Sequence, residues 1–120
     1  MKGLIIRQPW LDLILSGQKT FEMRSKLTRI RGEIGLIQSG SGLVLGTAHL
    51  LDCVHLMRYE LEKYQDKHCV DLQNPLLDKY RWAWQLSDAR RFDKPLPYKH
   101  SRGAVIWVNL TFDKCLHQEE

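Results

Sequence analysis

The sequence predicts an α+β domain, a small β-barrel of about six strands with a helix after the first strand and one or two mid-chain helices. Three observations carry this expectation. Six apolar runs, most of them short, are separated by turn-forming or charged stretches, the pattern of a small barrel rather than of a doubly wound sheet. Only one helical segment stands between consecutive early strands, so a parallel strand–helix–strand series fits poorly. The length of 120 residues is that of one domain, taken as 1–120 with its core over about 3–112, and a hydrophobic content of 43% suffices for one core.

Residues 2–7, KGLIIR, form a short apolar run with a β-branched pair and read as a buried strand. Gln8-Pro9 ends it, because the residue before proline is pushed out of the helical region and proline lacks the N–H of a central ladder. Pro9 suits the first turn of a helix, whose apolar face is Trp10, Leu11, Leu13, Ile14 and Leu15 and whose stop is Gly17. QKTFEMR, 18–24, alternates Thr20, Glu22 and Arg24 against Lys19, Phe21 and Met23, so strand parity sends Lys19 and Glu22 to opposite faces. SKLTRIRG is a basic loop with a glycine exit. Residues 32–38 and 43–56 read as strands joined by the tight SGSG turn. Residues 57–67 read as a surface helix in which Glu60 or Glu62 can pair with Lys63 or Lys67, and Asn74-Pro75 starts another helical piece. Residues 82–92 and 103–112 are the last two strands, separated by the loop DKPLPYKHSR. Barrel closure would bring the first and last strands together.

Composition narrows the function classes. No apolar run approaches the roughly 18 residues of a membrane helix, and the three-residue run before Arg7 is too short for a signal peptide, so the expected location is cytoplasmic. Three widely spaced cysteines, Cys53, Cys69 and Cys115, argue against a disulfide framework, and Cys53 and Cys69 are expected in the core. The five histidines and three cysteines show no metal-ligand spacing, and no cofactor is expected. The net charge of +4 is unevenly spread: residues 1–35 carry seven Lys/Arg against three Asp/Glu, and residues 81–103 six against two. If the fold joins them, these two segments make one basic surface suited to phosphate-bearing partners.

RQPW at 7–10, GQKTFEMR at 17–24, RG at 31–32, GTAHLLDC at 46–53 and AWQLSDARRF…PLPY at 83–98 together resemble the ASCH domain, a family of the PUA-like superfamily of small RNA-associated barrels. The resemblance runs over roughly residues 3–110 and implies a PUA-like barrel. The family is functionally mixed, with members that resemble N4-acetylcytidine amidohydrolases, ribonucleases, or RNA- and DNA-binding modules. The resemblance to the amidohydrolases implies a catalytic role for Lys19, which matches the family's catalytic lysine. Glu22 stands where those members carry a threonine, and Glu60 and Glu62 match their mid-chain glutamate by region only.

The residues themselves leave alternatives open. Lys19 can bind phosphate, or act as nucleophile or base if burial lowers its pKa, or simply sit at the C-terminal end of the preceding helix. Glu22 and Arg24 can form a structural ion pair joined by Arg7, or Glu22 can be a general base beside Lys19. The Arg7-Gln8-Pro9-Trp10 junction can hold an anion, with Trp10 either core or a base-stacking platform. Ser39 can line the cleft, and Tyr98, Lys99, His100 and Arg102 supply phosphate or base contacts. The expected function is binding of RNA, or of a nucleoside or nucleotide, in a basic cleft built from Arg7, Lys19, Glu22, Arg24 and the 98–102 loop. The alternatives are an amidohydrolase acting on a modified nucleoside such as N4-acetylcytidine, and a ribonuclease.

Overall fold

A computed structural model describes residues 1–111; residue 112 of the last predicted strand and Cys115 lie outside the described residues. The elements are β1 (Lys2–Ile6), α1 (Trp10–Leu15), β2 (Phe21–Arg24), β3 (Gly32–Gln38), β4 (Leu43–His55), α2 (Arg58–Lys63), α3 (Gln65–His68), a 3-10 turn (Pro75–Asp78), β5 (Trp82–Pro97) and β6 (Trp107–Asn109). They form one six-stranded sheet in the order β2-β5-β4-β3-β1-β6. This is a small α+β fold.

The sheet is not a closed barrel, and this corrects the prediction. Its edge strands, β2 with four residues and β6 with three, do not pair with each other. The sheet nevertheless curls strongly. Trp84 of β5 and Trp107 of β6 lie four strands apart, roughly 19 Å on a flat sheet, yet their rings stack at 5.7 Å with planes 10° apart. Arg24 at the end of β2 likewise donates from Nη2 to the Ile5 carbonyl of β1 at 2.8 Å. The seam is therefore bridged by side chains in place of a backbone ladder.

First and last strands do meet, β1 pairing antiparallel with β6 through Gly3↔Val108. On its other side β1 pairs parallel with β3, Leu4↔Leu36, so α1 and β2 form a crossover that the strand count alone did not predict. α1 buries Leu11, Ile14 and Leu15 against Leu4, Leu36, Leu50 and Leu86 of the sheet. Full burial of each such side chain stabilises by about 1.5–3 kcal/mol. A second cluster joins Phe21 and Met23 of β2 to Leu61, Val70 and Leu77, and so fixes α2, α3 and the 3-10 turn over the end of β2.

Two boundaries differ from the prediction. The helix over 57–67 divides at Tyr64 into α2 and α3. β5 runs on to Pro97, where a loop was expected after 92. The prolines are tolerated because β2 pairs with β5 only over residues 82–85; beyond that, β5 has one neighbour, and a missing N–H can face the open edge. Cys53 and Cys69 are half-buried, outside the fully buried core in which they were expected.

Candidate functional site

The seam between β2 and β1 opens into a cleft of about 530 Å³. Of the predicted site residues, Arg7, Trp10, Lys19, Glu22, Arg24 and Ser39 line it. The remaining five lie elsewhere, His100 beside Tyr98. Gln8 is exposed; its Oε1 accepts the Asp12 N–H at 3.0 Å and its Nε2 donates to Asp12 and Gln38. It thus occupies the start of α1, a helix of only six residues, where an anion had been expected. Tyr98 borders a neighbouring hollow, and Lys99 and Arg102 are exposed outside the cleft. The second basic segment thus sends no cation into the cleft: its Arg91 pairs instead with Asp12 at 2.9 Å.

Lys19 is 2% exposed. Gly17, with φ at +86°, turns the chain after α1, and the Lys19 N–H bonds back to the Leu13 carbonyl. Lys19 therefore precedes β2 rather than belonging to it, and strand parity does not apply. Its Nζ lies 3.8 Å from Glu22 Oε1, where the prediction had the two on opposite faces. Nζ donates to the carbonyls of Phe21, at 2.7 Å, and of His68, and stands 5.1 Å from the centre of the Trp10 ring. Burial pushes the Lys19 amine below the usual lysine range, opposed by the Glu22 carboxylate. With two N–H bonds committed to carbonyls, the third position on Nζ is a proton when the amine is charged and a lone pair when it is neutral.

Glu22 is 5% exposed, and its Oε2 accepts from Arg24 Nε at 2.8 Å and lies 2.8 Å from Nη2. The expected ion pair is present, with Lys19 rather than Arg7 as the further cation. The Arg24 guanidinium also sits over Trp84, 5.4 Å from the ring centre, and Trp84 Nε1 donates to the Lys26 carbonyl at 2.9 Å. Trp84 thus stacks on Trp107 and has the Arg24 guanidinium against its ring, and Trp84 and Arg24 both line the cleft. Lys26 and Tyr80 line it as well, and neither was singled out from the sequence. Glu60 lies outside the cleft lining, its carboxylate accepting the Met57 N–H at 2.9 Å at the start of α2; Glu62 is exposed.

His68 was weighed in the sequence only as a metal ligand. Among the described residues no three His, Cys, Asp or Glu side chains come together to hold a metal. Instead His68 is fully buried: its Nδ1 accepts the Val70 N–H at 3.0 Å, and its Nε2 lies 2.6 Å from the Leu61 carbonyl. A carbonyl only accepts, so Nε2 carries the proton and the ring is held neutral. Clamped on both sides, the residue presents its own carbonyl to Lys19. Burial, aided by the Lys19 charge, pushes the His68 pKa below its ordinary value of 6.5, against the opposing pull of the Leu61 carbonyl. The unfolded chain then binds the proton more tightly than the folded one. The stabilisation is complete above the unfolded value and is lost as pH falls below it, by up to about 1.4 kcal/mol per pH unit until the folded value is reached. His68→Gln is expected to flatten this dependence. The check is the difference in urea unfolding free energy between about pH 7.5 and about pH 5; equal slopes for wild type and variant would refute it.

The structure is a small α+β domain whose curled, open sheet carries a basic, aromatic-lined cleft at its seam. The family model of the ASCH domain matches residues 4–96, and the chain belongs to that family. The fold is similar to the crystal structure of ASCH from Zymomonas mobilis, with a TM-score of 0.66 at 18% identity over 80% of this chain and 72% of that one. A point mutant of that bacterial protein matches over 98% of this chain and 92% of its own, with a TM-score of 0.67 at 18% identity. No curated protein matches the chain. No helix among the described residues is long and apolar enough to cross a membrane.

Proposed function

We propose that the cleft binds a nucleobase, presented by single-stranded RNA or by a free nucleoside. The observation that carries this is the Arg24 guanidinium held in the cleft over Trp84, which itself stacks on Trp107. A guanidinium plane is a stacking surface for bases as well as a cation, and this one is pinned by Glu22 and the Ile5 carbonyl. A group fixed before the ligand arrives loses little entropy on binding. Arg7 and Lys26 add positive charge among the lining residues, suited to a phosphate, and about 530 Å³ falls within the usual range for small-molecule sites.

Lys19 supports a second reading, hydrolysis of an amide on a modified base such as N4-acetylcytidine. A buried amine with a depressed pKa, 3.8 Å from a carboxylate in a cleft, has the environment that activates a lysine as nucleophile or base. In that case Lys19, as base, takes a proton from a water whose oxygen bonds to the acetyl carbonyl carbon; the bond from that carbon to N4 breaks, and Glu22 passes the proton to N4, so that acetic acid and cytidine leave.

One experiment separates the two. The protein is incubated with N4-acetylcytidine and with single-stranded RNA, and wild type is compared with Lys19→Ala and Glu22→Ala. Binding alone gives salt-sensitive affinity for the RNA, no turnover of either substrate, and little sensitivity to Lys19→Ala. Amide hydrolysis gives turnover that Lys19→Ala abolishes. Turnover that survives Lys19→Ala overturns the assignment of Lys19, and absence of both binding and turnover overturns the cleft as a nucleobase site.

A further inference from the structure

The cleft does not end at Ser39. A second hollow of about 400 Å³ shares Ile5, Ser39 and Val105 with it and continues over Gly40 and Gly42 to Tyr98 and His100. Among the described residues no carboxylate lines this second space. Gly40 and Gly42 have φ values of +77° and +70°, and among the described residues nothing lies within 4 Å of where a Cβ would stand on either, so bare backbone forms part of the wall. Exposed Lys99 and Arg102 flank Tyr98 and His100 in the chain.

The hydrogen-bond polarity of this wall selects a ligand group. His100 Nε2 lies 3.0 Å from the Ala104 carbonyl, which can only accept, so in the neutral ring Nε2 bears the proton and Nδ1 is an acceptor. The Tyr98 hydroxyl, 2.8 Å from Nδ1, then donates its proton to it. With the ring neutral, the phenolic oxygen is left with lone pairs alone. It accepts a hydrogen bond and cannot give one, so it suits a hydroxyl of a ligand and not a phosphate oxygen.

We propose that the second hollow is a ribose subsite for the nucleotide next to the one seated in the cleft, so that the ligand is single-stranded RNA of at least two nucleotides. The proposal rests on the reading of the cleft as a nucleobase site and extends it from a single nucleoside to a chain. The adjoining ribose places its 2′-hydroxyl as donor to Tyr98, the group by which RNA differs from DNA. The linking phosphate then crosses the shared border at Ser39.

The test compares cytidine monophosphate, the ribodinucleotide CpC and its deoxy counterpart by equilibrium binding to wild type and to Tyr98→Phe. CpC is expected to bind wild type at least about tenfold more tightly than the monophosphate, and the deoxydinucleotide about threefold to tenfold more weakly than CpC. Tyr98→Phe is expected to bring CpC down to the level of the deoxydinucleotide while leaving the monophosphate unchanged. The comparison of ligands on wild type requires no variant to fold. If the monophosphate binds and CpC gains nothing over it, the subsite is overturned while the cleft reading stands. If Tyr98→Phe weakens ribose and deoxyribose ligands alike, the 2′-hydroxyl contact is overturned. If no ligand binds, the cleft and the subsite fail together.

Discussion

Glu22→Ala is expected to destabilise the domain by about 3–5 kcal/mol, because it strips the counter-charge from two cations that the fold has removed from water. The Lys19 side chain is 1% exposed and that of Arg24 16%. In the variant Arg24 loses both contacts to Oε2, and the Lys19 ammonium keeps two backbone carbonyls and the Trp10 ring but no counter-charge. Against a typical domain stability of about 5–15 kcal/mol, that is a large fraction. Glu22→Gln keeps an oxygen for Arg24 but no charge, and is expected to fall between wild type and alanine. Replacing Lys19 by methionine in the Glu22→Ala background is expected to recover part of the loss, since one of the orphaned cations is then gone. Urea unfolding of the four proteins measures the set. A loss below about 1 kcal/mol for Glu22→Ala would mean that the carboxylate is not what holds the two cations in place.

Gly46→Ala is expected to be at least as damaging, for a steric reason. A Cβ built on Gly46 would stand 2.1 Å from the Arg90 backbone carbonyl oxygen and 2.8 Å from Leu15 Cδ2. The leucine can turn aside, but the carbonyl belongs to β5 and moves only with its strand. The pairing is already irregular here, with a shift between Val44 and Gly46, and these two strands share the longest ladder in the sheet. Relief requires parting β4 from β5 beneath α1. The expected cost is about 3 kcal/mol or more, at or beyond the upper end for overpacking a core. Thermal or urea unfolding checks it; a variant within about 1 kcal/mol of wild type would show that β4 and β5 separate easily at this point.

The sequence made the local elements legible wherever glycine and proline punctuate it. The strand over 32–38 was read with its observed bounds because a glycine opens it and the SGSG turn closes it. The motif around Lys19 and Glu22 singled both out, and both line the cleft, while their contact was not legible. Alternation applies only inside a strand, and Lys19 lies in the turn before one, held by the Leu13 carbonyl. Closure of the barrel was not legible either, because pairing of edge strands depends on curl and stagger summed over the whole sheet. His68 escaped notice for a different reason: its contribution to the site is a backbone carbonyl, which no residue type advertises. The loop cations Lys99 and Arg102, expected at the cleft, stand exposed outside it, since charge in a sequence does not say which way a loop faces.

The unclosed seam has a mechanical consequence. In a complete barrel, widening the interior means breaking a row of backbone hydrogen bonds, so the bore is nearly rigid. Here the two sides are tied at the cleft by the Arg24 hydrogen bond to Ile5 and by the contact of two indoles, with strand ends on either side free of a shared ladder. Such a slot can gape or tighten by exchanging one side-chain hydrogen bond and sliding one aromatic face over another. The width of the slot therefore rests on two side-chain contacts, and one of them is made by the arginine that Glu22 holds in place.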